Sequence, residues 1–383
     1  MSEKRPVPPK SELTLDRRKF LATSGTGLLA AALPMTTPLA GTASALSAES
    51  PRVPQAGATN KRKIPIGVFN ADVYKTLSID AMLDKVSALG LEAMEIGTGG
   101  YPNSWQCPLD ELVADPAKAK AWAKKFADHG LPIVTLSCHG NPVHPDAKHA
   151  ATDREIFKKT VLLAERIGVK VIVGFSGCPG GSPADTQPNW ITYRWPPEYD
   201  EMLTWQWNEK VIPYWKEAAK FARDHGIHRL AFEMHPNFVV YNPRTLLRLR
   251  EAVGEEIGAN CDLSHLFWQG CDPVEVIHFL GKQGIIYHAH MKDTVLYPEN
   301  LAKYGILNFV FKSSDLPMAS DAFRAVGYGH SASLWKSVVQ AYMDVGYDGI
   351  LSIENEDPIL SGEVGVERAA YVLKNVRDEL LKA

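Results

Sequence analysis

Three consecutive pieces of the chain decide its fold. They are His228-Arg229-Leu230-Ala231-Phe232-Glu233, the amphipathic stretch Pro243-Arg244-Thr245-Leu246-Leu247-Arg248-Leu249-Arg250, and Gly258-Ala259-Asn260-Cys261-Asp262. A short apolar run ends in a carboxylate, a segment with helical spacing follows, and a second short run ends in another carboxylate. Strand, helix and strand in that order require a parallel pairing, because the helix carries the chain back to the end where the first strand began.

The same alternation extends in both directions. Strands are predicted at 64–69, 91–96, 132–138, 170–175, 228–233, 258–262, 285–291 and 349–354. Helical apolar spacing is read at 77–89, 115–129, 153–167, 210–225, 243–256, 272–283, 333–345 and 363–381. Several of these helices run into a glycine just before the next strand (Gly90, Gly130, Gly168, Gly226, Gly284 and Gly346), the expected left-handed stop. Eight such units favour a closed (β/α)8 TIM barrel, one α/β domain over residues 63–383, over an open doubly wound sheet. No glycine-rich phosphate loop follows any strand, which argues against a dinucleotide fold. Long βα loops are expected after the fourth strand (176 to about 208) and the seventh (294–321). The first holds Trp190, Trp195, Trp205 and Trp207. Such a loop suits either stacking on a sugar ring, with Trp195 as a substrate contact, or packing on itself.

Barrels of this kind place their chemistry at the C-terminal ends of the strands. Four ends are rich in ionisable groups: Glu233-Met234-His235-Pro236, Asp262-Leu263-Ser264-His265, His288-Ala289-His290-Met291-Lys292-Asp293 and Glu354-Asn355-Glu356. Strand alternation puts Glu233, Asp262, His290 and Glu354 on the inward face, where they can converge. Three carboxylates buried together are prohibitively costly without a cation. The set of three carboxylates and one imidazole fits one divalent ion, Mn2+ first, with Co2+, Mg2+ or Zn2+ also compatible. His139 in Ser137-Cys138-His139-Gly140-Asn141-Pro142 also points inward, as a general base, a hydrogen-bond donor to substrate, or a tie for its own loop. Glu95 and His235 are expected at the same rim, and Lys292 and Asp293 as an ion pair shaping the seventh loop.

These motifs resemble the xylose isomerase-like superfamily of sugar isomerases and epimerases, which includes the ketose 3-epimerases and endonuclease IV. The elements Glu-x-His-Pro, Asp-x-x-His, His-x-His-x-Lys-Asp and a terminal Ile-Glu occur in the family's order from residue 64 to the end. The resemblance implies Glu233, Asp262, His290 and Glu354 as ligands of one divalent metal. It implies His265 on substrate oxygens, and more loosely Arg324, ahead of Gly327-Tyr328-Gly329, on the substrate as well. Two departures matter. The further Glu that ketose 3-epimerases carry six residues after the fifth-strand ligand is Val239 here, and the Asp-x-His that endonuclease IV has after the seventh strand is absent.

The expected activity is a metal-dependent isomerase or epimerase working through an enediolate on a sugar or keto-sugar. Glu233 and Glu354 serve as bases on opposite faces, with His265 and His139 as acid-base partners and His265, Arg324, His235 and Trp195 on the substrate. A lyase or dehydratase cleaving 3-keto-glycosides on the same site is the main alternative, and a sugar-binding protein without catalysis a lesser one.

With 41 basic against 44 acidic side chains, the net charge of −3 speaks against a nucleic-acid partner. The five cysteines form no CxxC pair and are expected to be free. Near the start, Arg17-Arg18-Lys19-Phe20-Leu21, a weakly apolar run to Leu33 and Ala43-Ser44-Ala45 read as a twin-arginine export signal over 1–45, followed by a flexible linker over 46–62. That implies the export machinery as a partner and a periplasmic or extracellular location. The run is too short and polar for a stable membrane anchor. A homo-oligomer is compatible with the sequence but not required by it.

Overall fold

The computed structural model describes residues 62–101, 105–308 and 313–382. The expected export signal and nearly all of the linker lie outside the described residues. Among the described residues no helix is long and apolar enough to cross a membrane.

The strands are β1 (Ile66–Phe69), β2 (Ala93–Gly97), β3 (Ile133–Ser137), β4 (Val171–Gly174), β5 (Arg229–Glu233), β6 (Ile257–Asn260), β7 (Ile286–Met291), β8 (Asp293–Leu296), β9 (Asp321–Arg324) and β10 (Leu351–Ile353). Eight of them close a parallel barrel in the order β1-β10-β7-β6-β5-β4-β3-β2. The last strand seals the ring against the first, with Ile66 opposite Leu351 and Val68 opposite Ile353. The single-domain (β/α)8 expectation therefore holds.

The crossover helices start where local chemistry starts them. Helix α3 (Pro116–Asp128) has Asp115 at its N-cap and proline in its first turn. Helix α7 (Pro243–Val253) opens on a reciprocal capping box between Asn242 and Thr245. Helix α4 (Ala147–Ile167) stops at Gly168, whose φ of 81° suits a residue without a Cβ. Strand side chains that point away from the barrel axis pack on these helices. On β5, Phe232 meets Trp215 of α6 (Ile212–Asp224) edge to face, with ring centroids 4.5 Å apart. Because both faces of each strand are covered, the strands are buried almost end to end.

The two long loops are more ordered than a loop assignment implies. The fourth contains α5 (Pro197–Trp205), which runs through a single π-helical turn (Gln206–Val211) into α6. There Trp207 is fully buried with the Arg248 guanidinium over its ring, and Trp190 meets Tyr241 edge to face. Much of the tryptophan cluster thus packs within the protein itself. In the seventh loop, β8 and β9 form an antiparallel hairpin where the sequence pattern predicts a loop. All five cysteines are free.

Candidate metal centre

Glu233 ends β5, Asp262 follows β6, His290 lies on β7 and Glu354 follows β10. Register explains their meeting. Glu233 pairs with Asn260 two residues ahead of Asp262, and His290 pairs with Ser352 two residues ahead of Glu354. Alternation then sends all four side chains to the same side of the sheet. Each offers a ligand atom, and these atoms lie within 4.8 Å of one another with all four residues buried.

The oxygens are unequally satisfied. Glu233 is held from both sides, with His139 Nε2 at 3.1 Å from Oε2 and His265 Nε2 at 3.1 Å from Oε1. Asn260 Nδ2 donates to Oε2 at 3.2 Å. Burial pushes this carboxyl up, but the hydrogen bonds from His139, His265 and His290 outweigh it and hold it well below the usual range. Asp262 is likewise lowered, because the Lys292 and His265 charges overcome its burial. Glu354 goes the other way, since burial raises it more than Lys292 and His290 lower it. Its Oε2 and Asp262 Oδ2 are buried without a well-formed hydrogen bond. Those two oxygens, an imidazole and the fixed Glu233 form a donor set that suits one divalent ion.

Lys292 is where the sequence reading needs correcting. Its ammonium does not pair with Asp293. It is buried 3.2 Å from Asp262 Oδ2, 2.8 Å from Glu354 Oε2 and 2.9 Å from Glu356 Oε2. Burial lowers its proton affinity, and Asp262, Glu354 and Glu356 raise it much further, so it stays charged. By strand parity Lys292 follows His290 on the inward side, a signal present in the sequence. Asp293 instead gathers a turn: its Oδ2 accepts from the backbone N–H of Gly327, Gly329 and His330 and from Trp335 Nε1. The hairpin so anchored lays the Phe323 ring over Lys292 Nζ at 4.7 Å and edge-on to His265 at 5.3 Å.

His235 joins the margin of the group, its ring 4.2 Å from that of His265 and 4.8 Å from Phe175. Burial, and next the His265 charge, push its imidazole down to about 3. Arg324 and Trp195 are not among the converging residues. Arg324 donates from Nε to Asp357 at 2.9 Å, and Trp195 is 66% exposed. Glu95 is not at the rim. It is fully buried on β2, inside the barrel, against His288 and His290. Asp72, which the sequence reading passed over, is a carboxyl after β1 raised well above its usual value by burial and by Glu354 and Glu356.

Known proteins share the fold. YfiH, an uncharacterized protein of Bacillus subtilis (strain 168), is 36% identical over 308 residues, covering 80% of this chain and 97% of its own. The IOLI protein, in a crystal structure with a bound zinc atom, superposes with a TM-score of 0.56 at 17% identity, over 82% of this chain and 99% of its own. The 3-keto-D-glucoside 4-epimerase YcjR of Escherichia coli does so at 0.53 and 14%, over 82% of this chain and all of its own. At those identities the two structures speak for the fold alone. The family model of the xylose isomerase-like TIM barrel matches residues 83–376, and the chain belongs to that family.

Proposed function

We propose that this protein is a divalent-metal-dependent isomerase or epimerase of a sugar or keto-sugar. The observation that carries the reading is the convergence of Glu233, Asp262, His290 and Glu354, with two of their oxygens buried and lacking a well-formed hydrogen bond. A zinc-bound structure and a keto-glucoside epimerase among the similar folds agree with it. A divalent ion held there would polarise a carbonyl and its neighbouring hydroxyl, acidifying the C–H between them. The protein's own groups would then move the proton. Glu354, whose carboxyl is raised by burial and whose Oε2 lies beside the Lys292 ammonium, serves as the base on one side. On the other side a proton comes from the imidazolium of His139 or His265, the two rings that Glu233 holds through its oxygens, and Glu233 passes it on. Phe323 and Phe175 wall the group with apolar surface, which strengthens each charge inside it. Export by the twin-arginine route, which would place the enzyme among periplasmic or extracellular glycosides, belongs to the same proposal.

A lyase acting on 3-keto-glycosides is the second reading, and a specific position favours it. Val239, six residues beyond Glu233, is buried among apolar neighbours and supplies no second acid. His139 or His265 would then protonate the departing group. The deciding experiment incubates metal-loaded protein in deuterated water with free sugars, 3-keto-glycosides and sugar phosphates, followed by NMR. Deuterium entering a C–H of a rearranged sugar supports the isomerase or epimerase, a released aglycone or water moves the assignment to a lyase, and inertness with every divalent ion sinks both.

A further inference from the structure

Beneath the four converging residues the barrel interior holds a polar plug where apolar side chains are usual. At its centre is Glu95 of β2, fully buried. Its Oε2 accepts from Ser352 Oγ at 2.6 Å and His288 Nε2 at 2.8 Å, and its Oε1 accepts from Ser137 Oγ. His290 Nε2 stands 3.1 Å from both oxygens. The plug therefore ties β2, β3, β7 and β10 together through one carboxylate. Such a group is expensive to bury, and a packed apolar layer would close the barrel without that cost.

The far side of the His290 ring supplies a reason. With Nε2 turned to Glu95, Nδ1 lies 3.0 Å from Glu354 Oε2, 3.4 Å from Glu233 Oε2 and 3.8 Å from Asp262 Oδ2. Phe69 stacks on the ring at 6.0 Å with an interplanar angle of 19°, limiting its rotation. His288, two residues earlier, differs. It gives Nε2 to Glu95 and keeps Nδ1 3.3 Å from Thr135 Oγ1, within the plug.

We infer that Glu95 is a positioning residue of the metal centre, one that fixes the His290 ring with Nε2–H toward the barrel interior and Nδ1 toward the other three ligands. Fixing the second nitrogen of a ligating imidazole sets both its orientation and its basicity. Glu95, His288 and His290 could be taken for a second metal site, since their ligand atoms also lie within 4.8 Å of one another. The direct hydrogen bonds among them fill that space, and His290 has one ring for both tasks. The inference rests on the proposal that the four upper residues hold a divalent ion.

The test compares wild type, Glu95→Gln and Ser352→Ala in full-length protein. Binding of Mn2+ and Zn2+ is measured by titration calorimetry with chelator competition, and the visible bands of the Co2+-loaded form report ligand geometry. The amide keeps the size of the carboxylate but loses its charge and turns one acceptor into a donor, so Glu95→Gln is expected to bind the ion about 10- to 100-fold more weakly with altered Co2+ bands. Ser352→Ala, which leaves every ionisable group in place, shifts affinity the same way by less. Wild-type affinity and bands in Glu95→Gln overturn the inference while leaving the metal reading intact. If Glu95→Gln does not fold, unchanged affinity in Ser352→Ala overturns it. A wild type that takes up none of Mn2+, Co2+, Zn2+ or Mg2+ overturns the metal reading and this inference with it.

Discussion

The Lys292 ammonium lies 2.8 Å from Glu354 Oε2, so a fixed cation stands among the carboxylates proposed to hold a mobile one. It gives three acids, Asp262, Glu354 and Glu356, a common partner. Lys292→Met leaves those charges uncompensated, and loss of one partner from a buried ion cluster costs about 3–5 kcal/mol. Urea denaturation in EDTA checks this, and an unchanged midpoint would show that the cluster contributes nothing to stability. A divalent ion at a hundred times its dissociation constant should restore about 2.7 kcal/mol.

Glu354→Gln separates catalysis from binding. The variant keeps the shape of the side chain but loses the proposed base, so turnover should collapse by a factor of about 100 or more. Near-normal sugar affinity together with retained function in the cell would point to a binding protein instead. The measurement is steady-state kinetics beside sugar-binding calorimetry.

His139 and His265 share one carboxylate, which makes their effects interdependent. Each change to Gln should slow turnover by roughly 100- to 10,000-fold while the circular dichroism stays that of the wild type. The double variant should be far less impaired than the product of the two losses, because both act through Glu233. Fully multiplicative losses would count against a shared role.

Acid should weaken the protein through His235. Its folded-state value of about 3 lies below the ordinary 6.5, so between those limits the unfolded chain takes up a proton that the folded chain refuses. Stability therefore falls as the pH is lowered from about 6.5 toward 3, and this contribution is fully present above that window. His235→Gln removes the titrating ring and should give a shallower acid limb in denaturation midpoints between pH 4 and 7. An identical limb would place the acid sensitivity in other groups.

Asp293→Ala strips the acceptor from three backbone N–H groups and the Trp335 indole at once. With about 1–3 kcal/mol for the buried indole donor left unmet and less for each of the three partly buried N–H groups, a loss of about 2 kcal/mol or more is expected from thermal or chemical denaturation. Because the same carboxylate anchors the hairpin bearing Phe323, faster amide hydrogen exchange in β8 and β9 should accompany the loss. Unchanged exchange there would detach Asp293 from the hairpin.

The barrel was legible because its period is local. Each strand announces itself within six residues, and parity alone puts Glu233, Asp262, His290 and Glu354 on one side. Lys292 shows where that reading fails. Its neighbour Asp293 is adjacent in sequence, yet three acids from β6 and the segment after β10 are nearer in space, and only closure of the ring brings them there. Glu95 was misplaced for a related reason. A strand residue's height along the barrel axis depends on the stagger between strands, including the register shift beside Met94 and Glu95, which no single segment encodes. The hairpin of β8 and β9 is not legible in the sequence because its strands, four residues each and separated by a long insertion, show little periodicity of their own.

Closure of the ring by β10 against β1 also sets a timetable. Glu354 follows the strand that completes the barrel. A nascent chain that has grown as far as β7 carries Glu233, Asp262 and His290, but not the fourth donor or the wall that brings it within reach. If the centre holds an ion as proposed, all four donors surround that ion only once the eighth strand of the barrel has closed against the first.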